Sequence, residues 1–270
     1  MFSAIAFGIC VGSGCGGKTP TEPGGPTQSP ASLKLTGPDY LFISESGEYK
    51  LEATYADGRR EPMTAASWGC DNPAAIQVAN GHATAMASGG ATVFSDCQHG
   101  RATQYVRVVP DYRGNWSGAY TWRSCAASGV FDAIHACDLI PNGTELPIMV
   151  RLSQTKDQTT GTIALGDLMG DVSGVVDVPG RLALRGSMRY DLEGMTATVT
   201  LNGWDTMAEG ETMSGTFGQV WTISGASGSM TAECQVRSVS RTSRTVQGFA
   251  NRSASPARGL RDLLMRLGAR

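Results

Sequence analysis

From Arg113 onward the chain is a series of stretches in which apolar and polar residues alternate, and this pattern leaves few folds open. The stretches run at about 114–124, 146–155, 159–166, 170–177, 181–190, 194–203, 212–223 and 227–237. Breaks fall at Lys156-Asp157, Gly166-Asp167, Pro179-Gly180, Asp191 to Gly194 and Ala208 to Glu211. A period of two puts every other side chain on one face of a strand. Met149, Leu152, Ile163, Leu165, Leu182, Leu184, Val199, Leu201, Phe217 and Ile223 alternate with polar neighbours and suit an apolar interior. Eight consecutive strands joined by short turns predict an antiparallel up-and-down barrel, whose closure removes the exposed edges. Ser117-Gly118, Thr160-Gly161, Ser173-Gly174 and Ser214-Gly215 place glycines where a closing sheet has to coil.

Residues 32–110 carry a denser version of the same text. Short strands are expected at 32–36, 40–43, 48–55, 75–78, 82–85, 91–95 and 103–109. Gly37-Pro38, Ser46-Gly47, Asp57-Gly58, Asn72-Pro73, Asn80-Gly81 and Gly89-Gly90 punctuate them as turns. Seven strands in under eighty residues fit a β-sandwich. Glycine is the commonest residue, at 35 of 270, and no long segment of helical period precedes the last fifteen residues. The fold class is therefore all-β: an Ig-like β-sandwich (32–110) followed by an eight-stranded antiparallel up-and-down β-barrel (111–237).

Two resemblances refine this. Tyr55-Ala-Asp-Gly58, Trp68-x-x-Asp-Asn72-Pro73, Val78-x-x-Gly81, Gly90-Ala-Thr-Val93 and the closing Val106-x-Val108-Val109 together resemble the group 2 bacterial Ig-like (BIG2-type) domains of adhesins and envelope proteins. The resemblance implies a spacer or adhesive module, brings no catalytic residues, and puts Trp68 in the sandwich core. It also puts Cys70 and Cys97 near the ends of neighbouring strands, implying a disulfide that closes a loop of about 27 residues and contributes about 3–4 kcal/mol. Gly114-x-Trp116 resembles the G-x-W signature of lipocalins and avidin-like barrels. There the tryptophan plugs the closed end under an arginine from the last strand, a role that falls to Arg237 by position, with Arg113 as the other candidate. Trp122, Trp204 and Trp221, near strand ends, are read as core plugs ahead of a ligand cage.

The cysteine usage points to an oxidising compartment and structural disulfides, and the absence of any CxxC pair speaks against zinc and thioredoxin-type readings. Cys125 and Cys137 bracket the longest loop of the second domain and are the favoured pair, with Cys234 free; Cys125–Cys234 is the alternative, because first and last strands meet in a closed barrel. At the N-terminus, the apolar run Ala4 to Val11 leads to Gly12-Ser13-Gly14-Cys15 and then to a Pro/Gly/Thr linker, residues 16–31. This looks like a bacterial lipoprotein signal peptide, residues 1–15, with Cys15 as the lipidated residue. It departs from that pattern in having Gly12 three residues before the cysteine and no basic residue ahead of the apolar run.

Of the net charge of −2, residues 238–270 carry +6, so the body is acidic and speaks against nucleic acid as a partner. That basic tail is of disordered composition up to Pro256. Beyond it Leu260, Leu263, Leu264 and Leu267 fall on one helical face among Arg258, Arg261 and Arg266. Such a segment suits an anionic membrane or a partner, or is a frayed polar end. His82, His99 and His135 are scattered, and no catalytic, phosphate-binding or calcium-loop motif occurs, so no catalytic residue, metal or cofactor is assigned. The expected function is that of a non-enzymatic cell-envelope lipoprotein of the outer membrane, binding or adhering at the surface or in the periplasm. Its expected partners are the membrane, through the lipid anchor, and a surface protein or glycan. The alternative is a lipocalin-like carrier of a small apolar ligand.

Overall fold

Asn80 and Gly81 both adopt positive φ, 52° and 80°, the backbone that a two-residue hairpin needs, and they set the register of one of three small sheets in the first domain. The computed structural model describes residues 29–242 apart from 66, 167 and 193–194. The first strands are β1 (Ser32–Thr36), β2 (Tyr40–Phe42), β3 (Ser46–Glu48), β4 (Lys50–Thr54) and β5 (Arg60–Pro62). They are followed by β6 (Ser67–Cys70), β7 (Ile76–Ala79), β8 (His82–Ala85), β9 (Gly89–Cys97) and β10 (Gly100–Val109). They assemble as β1-β4-β5, β2-β10-β9-β6 and β3-β8-β7, with β2 joining β10 in parallel. Leu35, Leu41, Leu51, Ile76, Val93, Val106 and Val108 fill the space between the sheets. The short strands β3, β5 and β6 go beyond the sequence expectation. Trp68, on β6, is only half-buried and packs against this core from its margin.

The second domain runs β11 (Gly114–Ala127), β12 (Glu145–Thr155), β13 (Gln158–Leu165), β14 (Leu168–Val176), β15 (Arg181–Leu192), β16 (Met195–Glu209), β17 (Thr212–Ile223) and β18 (Met230–Thr242). Each strand pairs antiparallel with the next, and β18 returns to β11 from Asn115↔Thr242 to Ala127↔Met230, closing the barrel. β18 thus ends at Thr242, beyond the expected 237, and takes in residues read from sequence as the start of the tail. Closure bends the wall sharply where glycines face inward. A Cβ on Gly161 would collide with the Arg151 carbonyl oxygen, and one on Gly174 with that of Ala183. Between β11 and β12 lie a one-turn helix, α1 (Val130–Ala133), and a 3-10 turn, Ala136–Leu139.

The sandwich meets the barrel at the end that carries the β12–β13 and β14–β15 turns. Arg107, at the end of the sandwich, donates to Asp157 at 3.0 Å and to the Val176 carbonyl oxygen. Lys156 pairs with Asp39, and the Arg113 guanidinium lies 4.0 Å over the Phe42 ring. Tyr40 and Phe42 pack against the barrel's own core.

Candidate functional site

At the sandwich end of the barrel the G-x-W signature is held as a plug. Gly114 takes φ 110°, a conformation few other residues adopt, and starts β11 so that Trp116 turns inward, fully buried. The Trp116 Nε1 donates to the Tyr112 carbonyl oxygen at 2.9 Å. The arginine over its ring is Arg241, 4.8 Å from the centroid and directly opposite Trp116 in the β11–β18 register. Arg237, expected in this role, is exposed on the outer wall, and Arg113 serves Phe42 instead. The register shift that absorbs one residue between Ala119 and Tyr120 moves the inward position to Arg241.

Around the plug the interdomain linker is stitched down. Gln154, buried at the barrel end, accepts from the Tyr112 N–H at 2.8 Å and donates to the carbonyl oxygens of Pro110 (3.2 Å) and Lys156 (2.9 Å). The Tyr112 hydroxyl donates to the Gly180 carbonyl oxygen at 2.8 Å and accepts from the Ala208 N–H at 3.1 Å. Burial pushes this hydroxyl up to about 12. Burial also works to raise the Asp111 carboxyl, but hydrogen bonds from Arg113 and the charges of Arg113 and Arg241 outweigh it and hold it below its usual value. Asp39 is lowered by its hydrogen bond with Lys156. Composition alone could not single out Tyr112, Gln154 and Asp111. Asp111 and Tyr112 are marked in the sequence by their closeness to the G-x-W motif, whereas Gln154, on β12, is brought to it only by the fold.

The interior is packed with side chains. Trp116, Trp122, Trp221, Tyr120, Phe131 and Phe217 are each within 2 % of full burial. The Phe217 ring lies 5.3 Å from that of Tyr120 and 4.8 Å from that of Trp204. Gln219 accepts from the Trp221 Nε1 at 3.0 Å and reaches the Cys234 sulfur at 3.5 Å. Burial pushes the Cys234 thiol up to about 12, so it stays protonated and poorly nucleophilic. The Trp122 Nε1 is buried without a hydrogen-bond partner among the described residues.

At the opposite end the β11–β12 loop folds over the mouth. Cys125 and Cys137 are disulfide-bonded as favoured from sequence, which leaves Cys234 free and removes the Cys125–Cys234 alternative. Phe131, Ile134, Ala136 and Ile140 of this loop join the barrel core. Cys70 and Cys97, by contrast, are free thiols. Cys70 lies opposite Val93 on β9, four residues along that strand from Cys97, a separation of about 13 Å that no disulfide spans. Cys15 lies outside the described residues.

The outer wall is polar: Arg151, Ser153, Thr160, Asp171, Ser173, Arg185 and Ser187 are exposed. Polar outside and apolar inside is the reverse of a membrane-spanning barrel. Across β11, β16, β17 and β18 this wall dips into a groove of about 810 Å³, lined by Arg123, Asn202, Thr216, Gly218, Glu233 and Gln235 among others. Register shifts beside Arg123 and Gly203 re-aim the strands here. Neither Arg123 nor Glu233 makes an ion pair among the described residues. No group of three or more His, Cys, Asp or Glu among the described residues is placed to hold a metal ion.

The fold and these sites define an all-β chain built on a closed eight-stranded antiparallel barrel, consistent in architecture with lipocalin- and avidin-like barrels. Neither a scan against protein-family models nor a search of curated proteins returns a match for the chain.

Proposed function

We propose that this chain is a non-enzymatic binding module of the bacterial envelope, tethered to the membrane through a lipid on Cys15 and recognising a surface protein or glycan with its outer face. The observation that carries this reading is the packed barrel interior, where six large aromatic side chains occupy the space in which a carrier would hold its ligand. Recognition then falls to the outside, where the polar groove presents Arg123 and Glu233, neither in an ion pair among the described residues. The Cys125–Cys137 disulfide supports an exported location. Filling of the interior weighs against the carrier of a small apolar ligand, and the acidic body against nucleic acid.

Arrays of immobilised envelope proteins and glycans, probed with the purified full chain, test this. Saturable retention on one class, weakened at least tenfold by Arg123→Ala with Glu233→Ala, is the expected result. No retention on either class, together with stoichiometric uptake of an apolar ligand, would overturn it. In expressing cells, label from an azido fatty acid should appear on the chain and vanish in Cys15→Ser.

A further inference from the structure

One row of the barrel's outer wall breaks its polar pattern. Met149 on β12, Ala164 on β13 and Met169 on β14 are direct cross-strand neighbours. All three occupy outward positions, flanked along their strands by core residues such as Ile148, Val150, Ile163, Leu165 and Leu168. Met149, expected in the interior from sequence, therefore points out, and with Ala164 it forms a hydrophobic pair separate from the barrel core. Yet Met149 is 1 % exposed and Ala164 5 %, while Met169 at the end of the row is 51 % exposed. Outward positions lower on the same strands, Arg151, Ser153 and Thr160, are exposed. Glu145 and Asp171 flank the row, both exposed and without an ion pair among the described residues.

We propose that the C-terminal segment 258–267 docks on this row, with Leu260, Leu263, Leu264 and Leu267 against Met149, Ala164 and Met169. The register places the end of the barrel beside it: Ser240 pairs with Ser117, and Ser117 with Met149. The chain leaves β18 at Thr242, two strand spacings, about 10 Å, from β12. The intervening residues 243–257 reach about 50 Å when extended, so length is no obstacle. A ten-residue helix is about 15 Å long, a match for a row whose three strands span about 10 Å. Arg258, Arg261 and Arg266 bring positive charge to Glu145 and Asp171. So short a helix is marginal alone and gains its stability from an apolar surface.

Photocrosslinking tests this in the full chain carrying Cys15→Ser, with p-benzoylphenylalanine in place of Met169 or, on a different part of the wall, Arg185. The 169 probe should crosslink to peptides from 258–267 of the same chain, at monomer mass, and the 185 probe should not. Leu263→Asp with Leu264→Asp should remove the crosslink at least tenfold while tryptophan fluorescence stays unchanged, showing the barrel intact. Absence of a crosslink, or one to residues 1–28 or to a second chain, would overturn the proposal. So would flotation on anionic vesicles that rises several-fold with the tail present relative to a chain ending at Thr242, since it would assign the segment to membrane instead.

Discussion

The sandwich and the barrel hide an apolar sheet face with very different amounts of sheet. Sandwich strands are three to ten residues long, divided among three sheets, and enclose mostly Leu, Ile, Val and Ala. Barrel strands are eight to fifteen residues long, share one closed sheet and enclose tryptophans, tyrosines and phenylalanines. The one disulfide among the described residues is in the barrel, while the sandwich holds two free, partly exposed thiols. Closure lets the barrel bury large rings without an edge to protect. The sandwich, with short edges, leans on the junction made by Arg107, Lys156 and Arg113. Stability should therefore be concentrated in the barrel.

Trp116→Ala tests this contrast most severely. Removing a fully buried ring that also carries Arg241 should cost about 3–5 kcal/mol of barrel stability in denaturant unfolding. The half-buried Trp68 changed to Ala should cost the sandwich under about 2 kcal/mol. Equal losses would erase the distinction. Replacing Cys125 and Cys137 by Ala should remove about 2–3 kcal/mol, the contribution of a loop of some 12 residues. Hydrogen exchange should report faster opening at the barrel mouth and none in the sandwich. Gly161→Ala, forced against the Arg151 carbonyl, should cost about 1–3 kcal/mol.

The smallest effect concerns the junction and pH. The Asp111 and Asp39 carboxyls are lowered in the folded chain, so their stabilisation is complete above the ordinary value of 3.8 and lost as pH falls through the folded values. Exchange protection of linker residues 111–113 should be flat from pH 7 to about 4 and fall below that. A fall already at pH 6 would contradict the assignment to these carboxylates.

The barrel was legible because period-two alternation and turn residues specify long strands well, and the observed strands follow the expected ones within a few residues at most ends. β6 is hidden in the sequence because Ser67-Trp-Gly-Cys70, although followed by the Asn72-Pro73 turn, is only four residues long and shows no apolar–polar alternation. Arg241 was missed because it lies in an Arg/Ser-rich stretch whose composition reads as tail, and only the β-bulge in the β11–β18 pairing brings it inward. The sequence places Met149 inside because three successive apolar residues, Ile148 to Val150, hide the parity of β12. The Cys70–Cys97 pairing followed from strand ends taken as neighbouring, whereas the β6–β9 register sets them apart.

Native mass spectrometry of the chain purified from cells that express it tests the central claim, that the barrel is filled by its own side chains. The expected mass is that of the protein with its lipid and one disulfide, and with no small molecule retained. A stoichiometric apolar ligand, released on unfolding and lost when Trp221 or Phe217 is replaced, would contradict it.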